Sequence, residues 1–128
     1  MSQKIVLMSS PEYFKVEYSI NPWMVPGTNV DLELAKDQWN GLKRTIEEAG
    51  AEVKVVPPSE NHPDLVFTAN SGIIRGNDVL IANFKFEERR GEEEIYIKWF
   101  KENEYNVSRI PPDYKFEGRG DAFVYGDY

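Results

Sequence analysis

The chain has 128 residues, a length that fits one domain with a core of its own. Hydrophobic residues make up 41% and charged residues 29%, which is typical of a folded globular protein and excludes a disordered chain. The net charge of -7 repels phosphate backbones and argues against nucleic-acid binding. There are 0 cysteines, which excludes disulfides, thiolate zinc sites and a cysteine nucleophile within these residues.

The first half of the chain predicts a strand, a helix and a second strand. The apolar run Ile5–Met8 is typical of a buried strand. It is too short to span a membrane and has no signal-peptide cleavage pattern, so we expect a cytoplasmic protein. Apolar positions recur at helical spacing over Asp31–Ala49, with Thr28 or Asn29 as the expected cap. The segment Glu52–Val56 then predicts a short strand before two prolines.

The second half predicts a hairpin, a helix and a return strand. A turn signal at Gly76 and Asn77 separates two apolar segments, which indicates a hairpin. Helical spacing then appears over Glu92–Glu104, and Tyr105–Ile110 predicts a strand. The run Ala122–Tyr125 predicts a last strand, whose exposed edge would need a neighbour. The chain therefore predicts an α/β fold with two β-α-β units.

Three segments combine polar groups with aromatic residues and chain breakers. Each alone has a structural interpretation: Asn21 before a proline starts a turn, Asn70 lies where a hairpin begins, and Glu117 lies in a glycine loop. In chain order the segments are Tyr18–Met24, Pro63–Gly72 and Phe116–Asp121.

Taken together, their INPWM, FTAN and FEGRGD elements resemble the N-terminal motifs of the guanidine-modifying pentein enzymes. The closest resemblance is to the arginine dihydrolase branch, beside arginine deiminases and dimethylarginine dimethylaminohydrolases. It runs from Met8 to Asp121 and covers only about the first half of such an enzyme. It implies that residues 1–128 form the N-terminal half of a pentein domain, with about two ββαβ-like modules of a five-module α/β propeller.

The resemblance assigns residues to a guanidinium site. A guanidinium is planar, charged and forked, so carboxylate and amide oxygens are suited to bind it. Asp64, Asn70, Glu117 and Asp121 supply such oxygens, and Glu117 matches the acidic member of a catalytic Cys, His and acid set. Gly118 would allow close backbone approach.

Further residues receive other assignments. By the resemblance, Asn21 lines the substrate pocket, and an Asn at position 70 is the mark of the dihydrolase branch. Phe67 could form a wall of the pocket, although we favour a core position for this aromatic residue. Arg89 matches a residue that holds the substrate carboxylate, or it is a solvated arginine at a helix start. His62, the one histidine, is interpreted as a loop residue.

The family reaction forms a covalent amidino-thioether and therefore needs a thiolate and a histidine base. Neither is supplied by the matching motifs here. Three explanations stay open: a C-terminal partner polypeptide carries the His and Cys, the chain is truncated, or catalysis has been lost. Half a propeller would expose strand edges and an apolar pocket wall, so we expect a hetero- or homo-oligomer.

A different class of function is a non-catalytic binding protein, as in the ribosome anti-association factors of the same fold. The net charge of -7 argues against this alternative. The resemblance implies no cofactor, and one histidine without cysteine argues against a zinc site.

Overall fold

The computed structural model describes residues 3–127. It divides into two compact units, the first ending at Thr68 and the second beginning at Ala69, and each unit has its own sheet. No helix in the described part of the chain is both long enough and apolar enough to span a membrane.

The first unit contains two parallel strands connected by a helix. These elements are β1 (Ile5–Ser9), α1 (Leu32–Glu48) and β2 (Glu52–Val56). The strands pair in register from Ile5 opposite Glu52 to Ser9 opposite Val56, which confirms the predicted order of strand, helix and strand. The C-terminal ends of both strands are buried, together with Leu65.

Helix α1 begins later than its predicted cap. Asp31 is the N-cap, and its Oδ1 accepts a hydrogen bond of 3.0 Å from the backbone N–H of Leu34. The prediction of Thr28 or Asn29 was therefore wrong. The Thr28 hydroxyl instead donates to the carbonyl of Val25 at 2.6 Å, so it closes the preceding turn.

The second unit is a ββαβ module. Its elements are β3 (Gly72–Arg75), β4 (Asp78–Ile81), α2 (Glu87–Glu102) and β5 (Asn106–Arg109). Strands β3 and β4 form the predicted antiparallel hairpin, and β5 adds parallel to β4. The sheet order is therefore β3-β4-β5.

Helix α2 begins at Glu87, ahead of the predicted start at Glu92. The apolar spacing that predicted the helix appears only from Ile95 onward, because the buried side of the first turns carries charged residues. Arg89 and Glu92 are both buried there. Further along, Tyr96 and Phe100 are fully buried and form part of the core of the unit.

The predicted strand Ala122–Tyr125 does not form. This segment has no regular structure, and no described strand pairs with it. After it, Arg75 donates from Nη1 to the carbonyl of Asp127 at 2.9 Å. A strand requires a neighbour for its backbone hydrogen bonds, and apolar residues alone did not provide one.

The fold is thus a mixed α/β fold with two sheets and two helices, as predicted. The arrangement of such modules in a propeller stays a prediction.

Candidate functional site

The backbone of Glu117 is held from several directions. Its N–H donates to Oδ2 of Asp121 at 2.7 Å, and its carbonyl accepts from Nδ2 of Asn70 at 3.2 Å. The preceding residue, Phe116, exchanges two backbone hydrogen bonds with Asn83, at 2.8 and 3.0 Å. Both peptide groups of Glu117 are therefore fixed, which restricts where its side chain can lie.

Glu117 is half-buried as a residue, and its carboxylate has no partner among the described residues. No residue between positions 3 and 127 donates a hydrogen bond to it or pairs with it. A carboxylate on a fixed backbone keeps its acceptor sites for a ligand with several donors.

The glycine after Glu117 is required by the packing. Gly118 has φ of +58°, and a Cβ there would lie 2.7 Å from the backbone oxygens of Ala69 and Gly72. Only glycine fits both the backbone conformation and this close contact. Gly118 therefore brings the Glu117 loop against the start of β3.

Asn70 also contacts a buried ion pair on α2. Its Oδ1 accepts from Nη1 of Arg89 at 2.9 Å. The Nε and Nη2 groups of Arg89 each donate to one carboxylate oxygen of Glu92 at 2.8 Å. The guanidinium also lies over the ring of Phe84, 4.5 Å from its centre. Burial raises the pKa of the nearby Tyr96 hydroxyl, and the Glu92 carboxylate raises it further.

This network corrects one interpretation of Arg89. Arg89 is buried, so it is not a solvated arginine at a helix start. Its Nε and Nη2 edge faces Glu92, and its assignment to a substrate carboxylate stays a prediction. The sequence analysis missed Glu92 as a site residue, although the Arg-x-x-Glu spacing places the two side chains on one helix face.

In the first unit, Asp64 is held by a tyrosine. Asp64 is buried in a short 3-10 helix, Pro63–Val66, and its Oδ2 accepts from the Tyr18 hydroxyl at 2.6 Å. Phe67 follows this helix and contacts Phe14 edge to face, with ring centres 5.5 Å apart. Phe67 is 47% exposed, so our core interpretation was wrong and the ring has a free surface.

The INPWM element forms an exposed turn. Oδ1 of Asn21 accepts from the backbone N–H of Trp23 at 3.0 Å, which is a typical turn contact for Asn. The Trp23 side chain is 86% exposed. His62 lies in a loop as predicted, with Nδ1 2.9 Å from the Ser59 hydroxyl, and partial burial lowers its pKa.

The predicted site residues thus form two groups, one in each unit. Within the second unit, four of them come together around one loop: Asn70, Glu117, Gly118 and Asp121. Arg89 joins them through Asn70. The first unit holds Asn21, Asp64 and Phe67, and the convergence of the two groups on one pocket stays a prediction. Among residues 3–127, no three acidic or histidine side chains are grouped to bind a metal.

Comparison with known proteins decides the family. A family model described as N,N dimethylarginine dimethylhydrolase, eukaryotic, matches residues 21–127. The chain belongs to this family. The match includes every site residue that the sequence analysis assigned, from Asn21 to Asp121.

The curated relatives of this member of the dimethylarginine dimethylhydrolase family include enzymes. The chain is 43% identical over 118 residues to the bifunctional arginine dihydrolase/ornithine cyclodeaminase ArgZ of Synechocystis sp., covering 91% of this chain and 17% of that protein. It is 36% identical over 120 residues to the N(G),N(G)-dimethylarginine dimethylaminohydrolase of Mycobacterium tuberculosis, covering 94% and 39%. An uncharacterized protein of Caenorhabditis elegans is 46% identical over 126 residues, with coverage of 97% and 43%.

Solved structures agree with the family assignment. The product-bound N-terminal domain of ArgZ, an arginine dihydrolase from cyanobacteria, matches with a TM-score of 0.85 and 41% identity, covering 94% of this chain and 44% of that domain. A dimethylarginine dimethylaminohydrolase adduct matches with a TM-score of 0.78 and 25% identity, covering 98% and 47%. The chain spans less than half the length of each of these relatives and structures. The resemblance stated from the motifs is confirmed.

Proposed function

We propose that this chain is the N-terminal part of a hydrolase that cleaves a C–N bond of a guanidino group, in arginine or a methylated arginine. In this reaction a cysteine thiolate attacks the guanidinium carbon, ammonia or a methylamine leaves with a proton from a histidine, and water then hydrolyses the resulting amidino-thioether and frees the thiolate. A C-terminal partner polypeptide supplies that cysteine and the histidine. The chain itself contributes the acid and most of the guanidinium contacts. Without the partner it is inactive, because it has no thiol.

The observation that carries this proposal is the state of Glu117. Its two peptide groups are fixed by Asn70 and Asp121, whereas its carboxylate is not engaged by any residue from 3 to 127. The contacts that fix the Glu117 backbone stabilise the loop, but the carboxylate, which pairs with no residue from 3 to 127, adds nothing to that stabilisation. The arrangement is well suited to a cationic ligand with several N–H donors.

The chemistry follows from charge. A guanidinium carbon is electrophilic enough for a thiolate only while the group stays protonated, and a nearby carboxylate stabilises both that cation and an imidazolium. Glu117 can serve both groups. Asp64, Asn70 and Asn21 provide further oxygen acceptors for orientation, and the exposed face of Phe67 suits a flat cation.

The test is reconstitution with a polypeptide that carries the remaining part of the family fold. The chain alone is expected to release no ammonia from arginine and no dimethylamine from dimethylarginine. Mixing should restore turnover, and Glu117→Gln should lower kcat/KM by about 10³-fold because a neutral amide cannot stabilise the two cations.

Glu102→Gln is the matched control, since Glu102 is exposed at the end of α2. This variant should retain full activity. Full turnover by Glu117→Gln in an active mixture would show that Glu117 is not the acid. If no partner restores turnover but the chain binds arginine in calorimetry, a non-catalytic binding protein is the better description.

A further inference from the structure

We propose that Glu92 is a positioning residue, which acts through Arg89 to fix the amide of Asn70 and thereby the backbone of Glu117. This inference rests on the proposed function, because it concerns the same site. Glu92 has no exposed surface in this structure. Any effect of Glu92 on a ligand must therefore pass through its neighbours.

The first step is that the N–H donors of the Arg89 guanidinium are shared between Glu92 and Asn70. Glu92 accepts from Nε and Nη2, both at 2.8 Å, and this two-point contact fixes the plane of the group. The face of the plane packs on the ring of Phe84. Nη1 is thereby directed to Oδ1 of Asn70, at 2.9 Å.

The second step is the orientation of the amide. Arginine only donates hydrogen bonds, and a carbonyl only accepts them. Oδ1 of Asn70 must therefore face Arg89, while Nδ2 faces the carbonyl of Glu117 at 3.2 Å. A flipped amide would place donor against donor on one side and acceptor against acceptor on the other. The Arg89 donor, which Glu92 holds in place, and the Glu117 carbonyl thus select one of two amide orientations.

The third step is the reason for this buried pair. A buried ion pair is often no more stabilising than apolar residues of similar volume, because both charges lose hydration. A positioning role accounts for its location, since the pair ends at the amide that holds the Glu117 carbonyl. What remains for a ligand is one Nδ2 hydrogen and one Oδ1 lone pair of Asn70, both in fixed directions.

Side-chain amide NMR of the chain tests the proposal without any activity measurement. In the native chain, the Nδ2 protons of Asn70 should exchange with solvent at least about tenfold more slowly than those of the exposed Asn40. In Glu92→Gln, the Asn70 exchange rate should rise at least about tenfold, while backbone signals of β3, β4 and β5 stay in place. Glu88→Gln, an exposed change on the same helix, should leave Asn70 as it is.

A purely structural role would move the backbone signals of the whole unit together, and this result would overturn the proposal. Arg89→Lys provides a second variant, since it retains the charge but cannot contact Glu92 and Asn70 with one planar fork. This variant should also raise the exchange rate of the Asn70 amide protons. If neither variant folds, the native chain still decides. Equal exchange at Asn70 and Asn40 would overturn the proposal by itself.

The reconstituted enzyme gives a separate readout. Glu92→Gln should lower kcat at least about tenfold with a smaller change in KM, because a misoriented acceptor costs most in the transition state. If the native mixture is inactive, the proposed function fails, whereas the amide exchange still reports on the positioning network. Unchanged kcat together with a released Asn70 amide would overturn the catalytic consequence of the proposal.

Discussion

At the scale of single residues, the Glu117 loop depends on contacts that leave no choice of side chain. Asn70 serves two partners of opposite polarity, the guanidinium of Arg89 and the carbonyl of Glu117. At Gly118, an added Cβ would lie 2.7 Å from backbone oxygens. Both positions therefore predict sharp effects of small substitutions.

Gly118→Ala should destabilise the chain well beyond the ordinary cost of a left-handed residue. Gly126 has nearly the same φ, +57° against +58°, but nothing lies within 4 Å of the position that an alanine methyl would take there. Gly126→Ala should cost about 1 kcal/mol for the backbone conformation alone. Gly118→Ala should cost about 1–3 kcal/mol more from overpacking. Urea unfolding of the two variants measures the difference, and equal midpoints would contradict the packing argument.

Asn70→Asp tests the charge at the amide position. One carboxylate oxygen would keep the Arg89 contact, but the other would face the Glu117 carbonyl where Nδ2 now donates at 3.2 Å. We expect a loss of about 1–3 kcal/mol in unfolding free energy. In the reconstituted enzyme, activity should persist, but the reaction should shift from the dihydrolase outcome toward simple deimination. Chromatography would then show a larger share of citrulline among the products. An undiminished stability would mean that the loop relaxes away from position 70.

At the scale of elements, the sequence predicted the bounds that local residues set. It missed the bounds and strands that depend on contacts with residues distant in the chain. Strand β2 was predicted with its observed bounds, Glu52–Val56, because its flanking breakers are local. The start of α2 was missed because Arg89 and Glu92 cover its buried side with charge rather than apolar surface. The segment Ala122–Tyr125 has apolar residues typical of a strand, yet strand formation depends on a partner that no local pattern reveals.

The same contrast applies to the candidate site. Motif order assigned Asn70, Glu117, Gly118 and Asp121, and the structure brings these four together. No motif indicated that the side chain of Asn70 bridges Arg89 and Glu117, because this depends on α2 packing beside β4 and β5. Sequence thus predicted which groups are present, and packing decides which atoms remain for a ligand.

The cap of α1 gives a prediction for an element boundary. Asp31→Ala should lower the free energy of unfolding by about 1 kcal/mol, since the Leu34 N–H loses its acceptor. Thr28→Ala removes only an exposed turn contact and should cost less than about 0.5 kcal/mol. Thermal unfolding of both variants compares the two candidate caps, and a larger effect at Thr28 would contradict the assignment of Asp31.

At the scale of the whole molecule, exposed aromatic residues at the end of the second unit predict association. Phe123 is 77% exposed and Tyr125 is 85% exposed, and both lie in the segment without regular structure. The burial of such rings against a second chain would gain about 1.5–3 kcal/mol per side chain. At micromolar concentration, sedimentation should therefore give a mass above that of one chain.

Replacing both Phe123 and Tyr125 by Ser should shift this equilibrium toward single chains, since little apolar area would then remain in the segment to bury. Tyr114→Ser is the control, because Tyr114 is an exposed ring on the loop after β5 and should not alter the mass. A native chain that sediments as a monomer would contradict the expected oligomer. A double variant that stays associated would instead place the contact on other surfaces. The parallel strands β1 and β2 are the next candidates, because no third strand among the described residues pairs with their sheet.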